Sequence, residues 1–249
     1  MTVAVPVPVR TLGVLGGMGP AATAEFLRLL AARVPAVDDQ HHPRIVMLSD
    51  PSVPDRSAAL TEGGPSPLPA LREGLATLTR WGADLLAVPC NTAHVYLDRF
   101  RAELPVPLVH IVDATLRAAM ARSPEGGWLA ATAGTVASGL YQRRAAELGY
   151  RLMLPGAAAQ GPIHRAAVLV KAGRTDEAGQ VLASALGPLW REAALPVITA
   201  CTELPLAYTA ALLPRNATVS SLDALASACV DALYATRAPR TTPDLLAAA

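Results

Sequence analysis

Short apolar runs alternate with longer stretches of helical period along most of this 249-residue chain. The first run, Leu12–Leu15, breaks at Gly16-Gly17-Met18-Gly19-Pro20, and a helical stretch follows with Ala24, Phe26, Leu27, Leu30 and Val34 at its apolar positions. Further runs stand at Arg44–Leu48, Leu85–Val88 and Leu108–Ile111, with helices predicted over 66–81 and 93–102. A strand–helix–strand rhythm of this kind implies parallel pairing, because a parallel neighbour is reached only through a crossover. The runs scarcely alternate, as expected of strands covered by helices on both faces.

The second half repeats the first in outline. Trp128–Ala131 is again a strand that ends in small residues, Thr132-Ala133-Gly134-Thr135, and Arg151–Leu154 corresponds to Arg44–Leu48. Helices over 162–172 and 175–193 lead to a strand at Val197–Thr199, and a last helix is predicted over 221–236. The fold class is therefore α/β, with two pseudo-symmetric domains of mainly parallel sheet. Residues 1–114 with 216–238 are expected to form the first domain and 115–215 the second. Residues 239–249 read as a loose tail, and the Gly/Pro-rich stretch 61–69 as a mobile surface loop.

Composition narrows the functions open to such a chain. Hydrophobic residues make up 52% and charged residues 16%, enough apolar material for a sizeable core. The formal net charge is +1 without any sustained Lys/Arg cluster, so nucleic acid is not expected as a partner. No apolar run reaches the ~18–20 residues of a membrane span, and the N-terminus lacks the pattern of a signal peptide. Three cysteines without disulfide-framework spacing suit a reducing cytoplasm.

Two of those cysteines end strands. Leu85–Val88 runs into Pro89-Cys90-Asn91-Thr92, and Val197–Thr199 into Ala200-Cys201-Thr202-Glu203. In an open parallel sheet, ligands bind beyond the carboxyl ends of the strands. A helix N-terminus following each cysteine is expected to lower its pKa. A thiol and a thiolate facing each other could remove a proton from one face of a carbon acid and return one to the other. Asn91, Thr92, Thr132, Thr135 and Thr202, at the same sheet edge, could stabilise the charge that builds on a neighbouring carboxylate. Cys229 lies inside the last helix and reads as a core residue.

Other features carry less. The run Gly13 to Gly19 has the spacing G-x-x-G-G-x-G, not the dinucleotide fingerprint G-x-G-x-x-G, so no nucleotide cofactor is expected. Metal-like ligand spacing is lacking, and the adjacent His41 and His42 read as solvated. Arg56 and Lys171 occupy loosely corresponding places in the two halves, where two cations could meet a dicarboxylate. Asp113 either orients a neighbour or caps a helix, and His110 reads as packed core.

Several of these segments together resemble the aspartate/glutamate racemases. They are Leu15-Gly16-Gly17-Met18-Gly19-Pro20 with Ala22-Thr23, Asp55-Arg56-Ser57, Pro89-Cys90-Asn91-Thr92-Ala93-His94 and His110-Ile111-Val112-Asp113-Ala114-Thr115. Further on come Ala131-Thr132-Ala133-Gly134-Thr135 with Gly139-Leu140-Tyr141, and Ala200-Cys201-Thr202-Glu203-Leu204. The resemblance covers nearly the whole chain in order. It implies a cofactor-independent amino-acid racemase with its active site in the cleft between the two domains, with no pyridoxal phosphate and no metal, acting as a homodimer. It makes Cys90 and Cys201 the catalytic pair, and it places Arg56 and Lys171 at substrate carboxylates with Met18, Asn91, Thr92, Thr132 and Thr202 around them. Retaining Arg56 and Lys171 together points to aspartate, with glutamate second. The alternatives are another isomerisation or a decarboxylation of a small dicarboxylate on the same scaffold, or amino-acid binding without turnover.

Overall fold

A computed structural model describes residues 7–235. The expected tail at 239–249 lies outside the described residues. Eight strands form two four-stranded sheets, parallel throughout. The first holds β1 (Leu12–Gly16), β2 (Ile45–Ser49), β3 (Leu85–Ala87) and β4 (Leu108–Val109) in the order β2-β1-β3-β4. The second holds β5 (Gly127–Ala130), β6 (Leu152–Met153), β7 (Val197–Thr199) and β8 (Thr218–Ser220) in the order β6-β5-β7-β8. The same order in both confirms the α/β class and the internal repeat.

Helices cover the sheets and join them. In the first half these are α1 (Pro20–Arg33), the single turn α2 (Ala58–Thr61), α3 (Leu68–Arg80), α4 (His94–Leu97) and α5 (Ile111–Arg122). The second half adds α6 (Ala133–Ser138), α7 (Leu140–Glu147), α8 (Ala157–Lys171), α9 (Thr175–Glu192), α10 (Leu204–Ala210) and α11 (Ser221–Tyr234). Pro20 occupies the first turn of α1, where its missing N–H costs nothing. Thr132 and Ser220 cap α6 and α11 by accepting from the N–H groups of Thr135 and Asp223.

The core has three parts. One lies outside the first sheet, around Leu71, Leu75, Leu78 and Leu97. Another lies outside the second sheet, around Trp128, Ile163, Leu182 and Leu186. The third contains Leu12 and Leu85 from the first sheet, Leu129 and Ile198 from the second, and Phe26, Ile111, Tyr141, Leu222 and Leu225 from helices between them. The inner faces of both sheets therefore share one apolar layer. Helix α11 packs against α1, and Arg33 pairs with Asp223.

Several expectations are corrected. The stretch 93–102 is not one helix but α4 followed by a 3-10 turn at Arg101–Glu103. The strand at 108 stops at Val109, because His110 turns to cap α5. Strand β8 went unseen; it falls within 216–238, a segment expected with the first half, and pairs with β7 in the second sheet. Helix α8 begins at Ala157, so Pro162 lies inside it; the Ala158 carbonyl deprived of a donor is at an exposed residue and can bond water. Strand β2 is not covered on both faces. Ile45 and Met47 are 38% and 42% exposed, while Val46 and Leu48 pack inward, because α1 turns towards α11 and leaves one face of this edge strand open. Ala24 likewise faces solvent; Ala22 and Thr23 are the buried pair. Leu68 and Pro69 belong to α3, not to the loop preceding it.

Candidate active site

Strand register explains where the chemistry collects. Val14 of β1 is level with Ala87 of β3, so the Gly17–Gly19 turn and Cys90 leave the sheet side by side. Ala130 of β5 is level with Thr199 of β7, which brings Thr132 beside Cys201 in the same way. The two edges face one small cavity. Cys90, Cys201, Met18, Arg56, Asn91, Thr92, Thr132, Lys171 and Thr202 all line it, together with Asp55, Ser57 and Glu203, for which the sequence suggested no part. Among the described residues, no group of three or more His, Cys, Asp or Glu side chains is placed to hold a metal ion. Nor is any helix there long and apolar enough to cross a membrane.

Cys90 and Cys201 are 6% and 5% exposed, and neither is in a disulfide. The Cys90 turn is held from behind. His94 Nδ1 lies 2.9 Å from the Cys90 carbonyl, and its Nε2 accepts from the Ile111 N–H at 3.4 Å. That arrangement needs a proton on Nδ1 and none on Nε2. Burial and the neighbouring His110 keep His94 neutral by pushing its pKa well down. His110 is buried too, against Asp98, as a core position should be.

The polar lining is prearranged. Asn91 donates to Ser221 Oγ at 2.9 Å and accepts from Tyr141 Oη at 2.6 Å, which fixes the direction of its amide. Thr92, Thr132 and Thr135 form a hydroxyl cluster, with Oγ1 separations of 2.7 to 3.3 Å. The motif segments quoted above include Tyr141 and Thr135, but their contacts with the other half could not be read from them.

Of the charged side chains in the cavity, only Lys171 and Asp55 lie within ion-pair distance of each other among the described residues. Arg56 is buried after β2; Nη1 donates to the Val53 and Pro54 carbonyls at 3.0 and 3.2 Å, and Nη2 to Met18 at 3.1 Å. Its Nε is buried without a partner. Burial works against the guanidinium charge, but Cys90 and Asp55 more than offset it, leaving its pKa raised. Lys171, on the last turn of α8, lies 3.8 Å from Asp55 Oδ2. Burial opposes its charge as well, and Glu203 and both thiols outweigh that, so its pKa is also raised. Asp55 accepts from the N–H groups of Ser57 and Ala58 at 2.8 and 2.9 Å. Burial raises its carboxyl, and these bonds with the two cations bring it below the usual range.

Cys201 contradicts the expectation of a lowered thiol. Burial first, and Glu203 second, push it well above the ordinary thiol value. A short helix three residues onward does not compensate for the lost water.

The halves touch closely at Gly134, where an added Cβ would fall 2.7 Å from Ser57 Cα and Oγ. Ser57 backbone cannot yield, so Gly134→Ala is expected to cost about 1–3 kcal/mol by overpacking. Urea denaturation would measure it; an unchanged midpoint would mean that this contact is slack.

Comparison with known proteins gives a consistent picture. A family model described as Asp/Glu/Hydantoin racemase matches residues 15–232. The broad specificity amino-acid racemase RacX of Bacillus subtilis is 30% identical over 138 residues, 53% of this chain; the match spans 59% of that relative, less than two thirds of its length. An aspartate racemase from Picrophilus torridus superposes with a TM-score of 0.79 at 28% identity, over 90% of this chain and 94% of that one. For the glutamate racemase isoform RacE1 of Bacillus anthracis the TM-score is 0.64 at 22% identity, over 88% and 79% of the two chains, a likeness of fold.

Proposed function

Because this chain belongs to the Asp/Glu/hydantoin racemase family, we propose that it interconverts L- and D-aspartate, with glutamate as a second substrate. No pyridoxal phosphate or metal takes part in this reading. The observation that carries it is the meeting of two buried thiols and two cations in one small cavity between related halves.

A thiolate at one cysteine takes the α-proton, and the S–H of the other gives its proton to the opposite face of the carbanion. The enzyme then holds the reverse protonation pattern, ready for the reverse reaction. The α-proton is a weak acid beside a carboxylate, so donors must already be aimed at the oxygen that gains charge. Asn91, Thr92, Thr132 and Thr202 line the cavity where that charge would build and are the groups this reading assigns to it. Arg56 and Lys171 provide the two positive contacts a dicarboxylate needs, and Met18 closes the wall beside Cys90. A homodimer, which the family resemblance implies, and a cytoplasmic location, which the cysteine usage suits, belong to the same proposal.

The test is incubation with L-aspartate in deuterated water without added cofactor, following chirality and α-deuterium together. D-Aspartate bearing α-deuterium is the expected product. Neither inversion nor exchange, with reductant present and a panel of amino acids tried, would sink the proposal.

A further inference from the structure

The motifs Pro89-Cys90-Asn91-Thr92 and Ala200-Cys201-Thr202-Glu203 share the cysteine and its place after a strand, but not the residue two positions on. Two residues after Cys90 stands Thr92, a neutral hydroxyl; two residues after Cys201 stands Glu203. This carboxylate is only 3% exposed. Its Oε2 accepts from Cys201 Sγ at 3.1 Å and from Thr202 Oγ1 at 3.2 Å, while Oε1 accepts from the Gly19 N–H at 3.1 Å. Three donors converge on two oxygens, an arrangement that suits an ionised, acceptor-only carboxylate. Among the described residues no Lys, Arg or His lies within ion-pair distance of it.

Cys90 has the opposite neighbour. The Arg56 guanidinium lies against it, and the same guanidinium donates to the Met18 carbonyl. The Met18–Gly19 peptide is thus held at its C=O by the cation beside one thiol and at its N–H by the anion beside the other. We propose that Glu203 is a positioning residue that makes the two thiols unequal: its carboxylate holds the proton on Cys201, so the role of base in the resting pair falls to Cys90. This rests on the two-thiol reading above and adds an assignment that the near-symmetry of the halves leaves open.

The groups facing Cys201 do not all act in one direction. Lys171 from α8, Arg56 from the loop after β2 and the backbone N–H of Glu203 favour its thiolate; the Glu203 carboxylate, Asp55 from that loop and any negative charge on Cys90 oppose it, while Tyr141 of α7 is neutral. Contact decides the balance. Glu203 touches the sulfur, whereas the nearest acid to the Lys171 ammonium is Asp55. Burial removes the water that would stabilise a second adjacent anion, and the raised Cys201 pKa agrees.

Unequal thiols have a kinetic consequence. The enantiomer whose α-proton faces Cys90 meets the majority form of the enzyme; its mirror image needs the proton moved from Cys201 to Cys90 first. Racemisation has an equilibrium constant of one, so kcat/KM must be equal for the two. The asymmetry appears as kcat and KM that differ between enantiomers in parallel.

The test is iodoacetamide labelling of the substrate-free enzyme across a range of pH, with each cysteine followed by peptide mass mapping. In the parent, Cys90 is expected to become reactive at lower pH than Cys201. Glu203→Gln keeps the side-chain length and an acceptor for Gly19 but removes the charge. It should lower the Cys201 midpoint by at least about one pH unit, a tenfold change in thiolate fraction, leave Cys90 where it was, and bring the two kcat values together. Glu203→Asp retains the charge and should preserve the parental order. An unmoved Cys201 midpoint in Glu203→Gln, or Cys201 reacting at lower pH than Cys90 in the parent, would overturn the proposal. Labelling needs no turnover, so it judges Glu203 separately from the racemase reading, which α-deuterium exchange by the parent decides.

Discussion

Cys90→Ser and Cys201→Ser are each expected to lower the rate of aspartate inversion by about a hundred- to ten-thousand-fold, the range that positioned acid–base groups contribute. A hydroxyl is a far weaker acid than a thiol, so serine can serve neither as the thiolate base nor as a well-matched acid at neutral pH. Inversion needs both faces of the substrate, and losing either group stops it. Exchange of the α-proton needs only one. Each variant should therefore still wash deuterium into one enantiomer, slowly and without inversion, and the two variants should favour opposite enantiomers. That outcome would also assign each thiol to its face. Cys229 supplies the control: it is wholly buried in α11, outside the cavity, and burial alone pushes its pKa up. Cys229→Ala should leave kcat within about twofold, its cost appearing as stability. Parental inversion by either serine variant would rule out the two-thiol mechanism. The double variant should be scarcely worse than either single one, because the pair acts as a unit.

What could be read from sequence, and what could not, follows the range of the forces involved. Strands such as Val197–Thr199 were legible because an apolar run stops abruptly at polar residues, and that stop is where a cysteine sits. Strand β8 was not, since Thr218-Val219-Ser220 offers one apolar residue among three. Its pairing comes from β7, with Thr218 Oγ1 bonding the Val197 carbonyl and Thr199 Oγ1 the Val219 carbonyl. Pro162 misled because proline usually marks a first turn. Within α8 it is tolerated where the orphaned carbonyl can reach water. Eight of the nine residues expected at the site follow strand ends, which parallel register gathers at one edge, whereas Lys171 reaches the same cavity from the end of α8. Glu203 was in plain view beside Cys201, yet its environment was not. The Gly19 N–H that completes it lies 184 residues away in the chain. The same limit spoiled the expectation for the Cys201 thiol: a helix N-terminus is a local signal, whereas burial and a touching carboxylate are tertiary facts.

Arg56→Met is expected to reduce kcat/KM for aspartate by about a hundred- to thousand-fold, comparable with the removal of a preorganised donor from a dry site. The guanidinium has two tasks, and its hydrogen atoms are divided between them. Both hydrogens of Nη1 and one of Nη2 go to the Val53, Pro54 and Met18 carbonyls, fixing the loops on either side of Cys90. The edge formed by Nε and the remaining Nη2 hydrogen is left over, and Nε is buried without an acceptor. An unsatisfied buried donor costs about 1–3 kcal/mol. A carboxylate or thiolate accepting there would recover that energy, so the vacant edge favours binding an anion beside Cys90. Methionine keeps the apolar stem but leaves the carbonyls unpaired, so a loss of stability should accompany the loss of activity. Arg56→Lys separates the two effects. It keeps the charge beside Cys90 but cannot reproduce a planar fork, so KM should rise more than kcat falls. Steady-state kinetics with each enantiomer, beside urea denaturation of the same variants, would measure both. A lysine variant with parental KM would mean that Arg56 acts as a charge alone. A methionine variant with parental kcat/KM would remove it from the site.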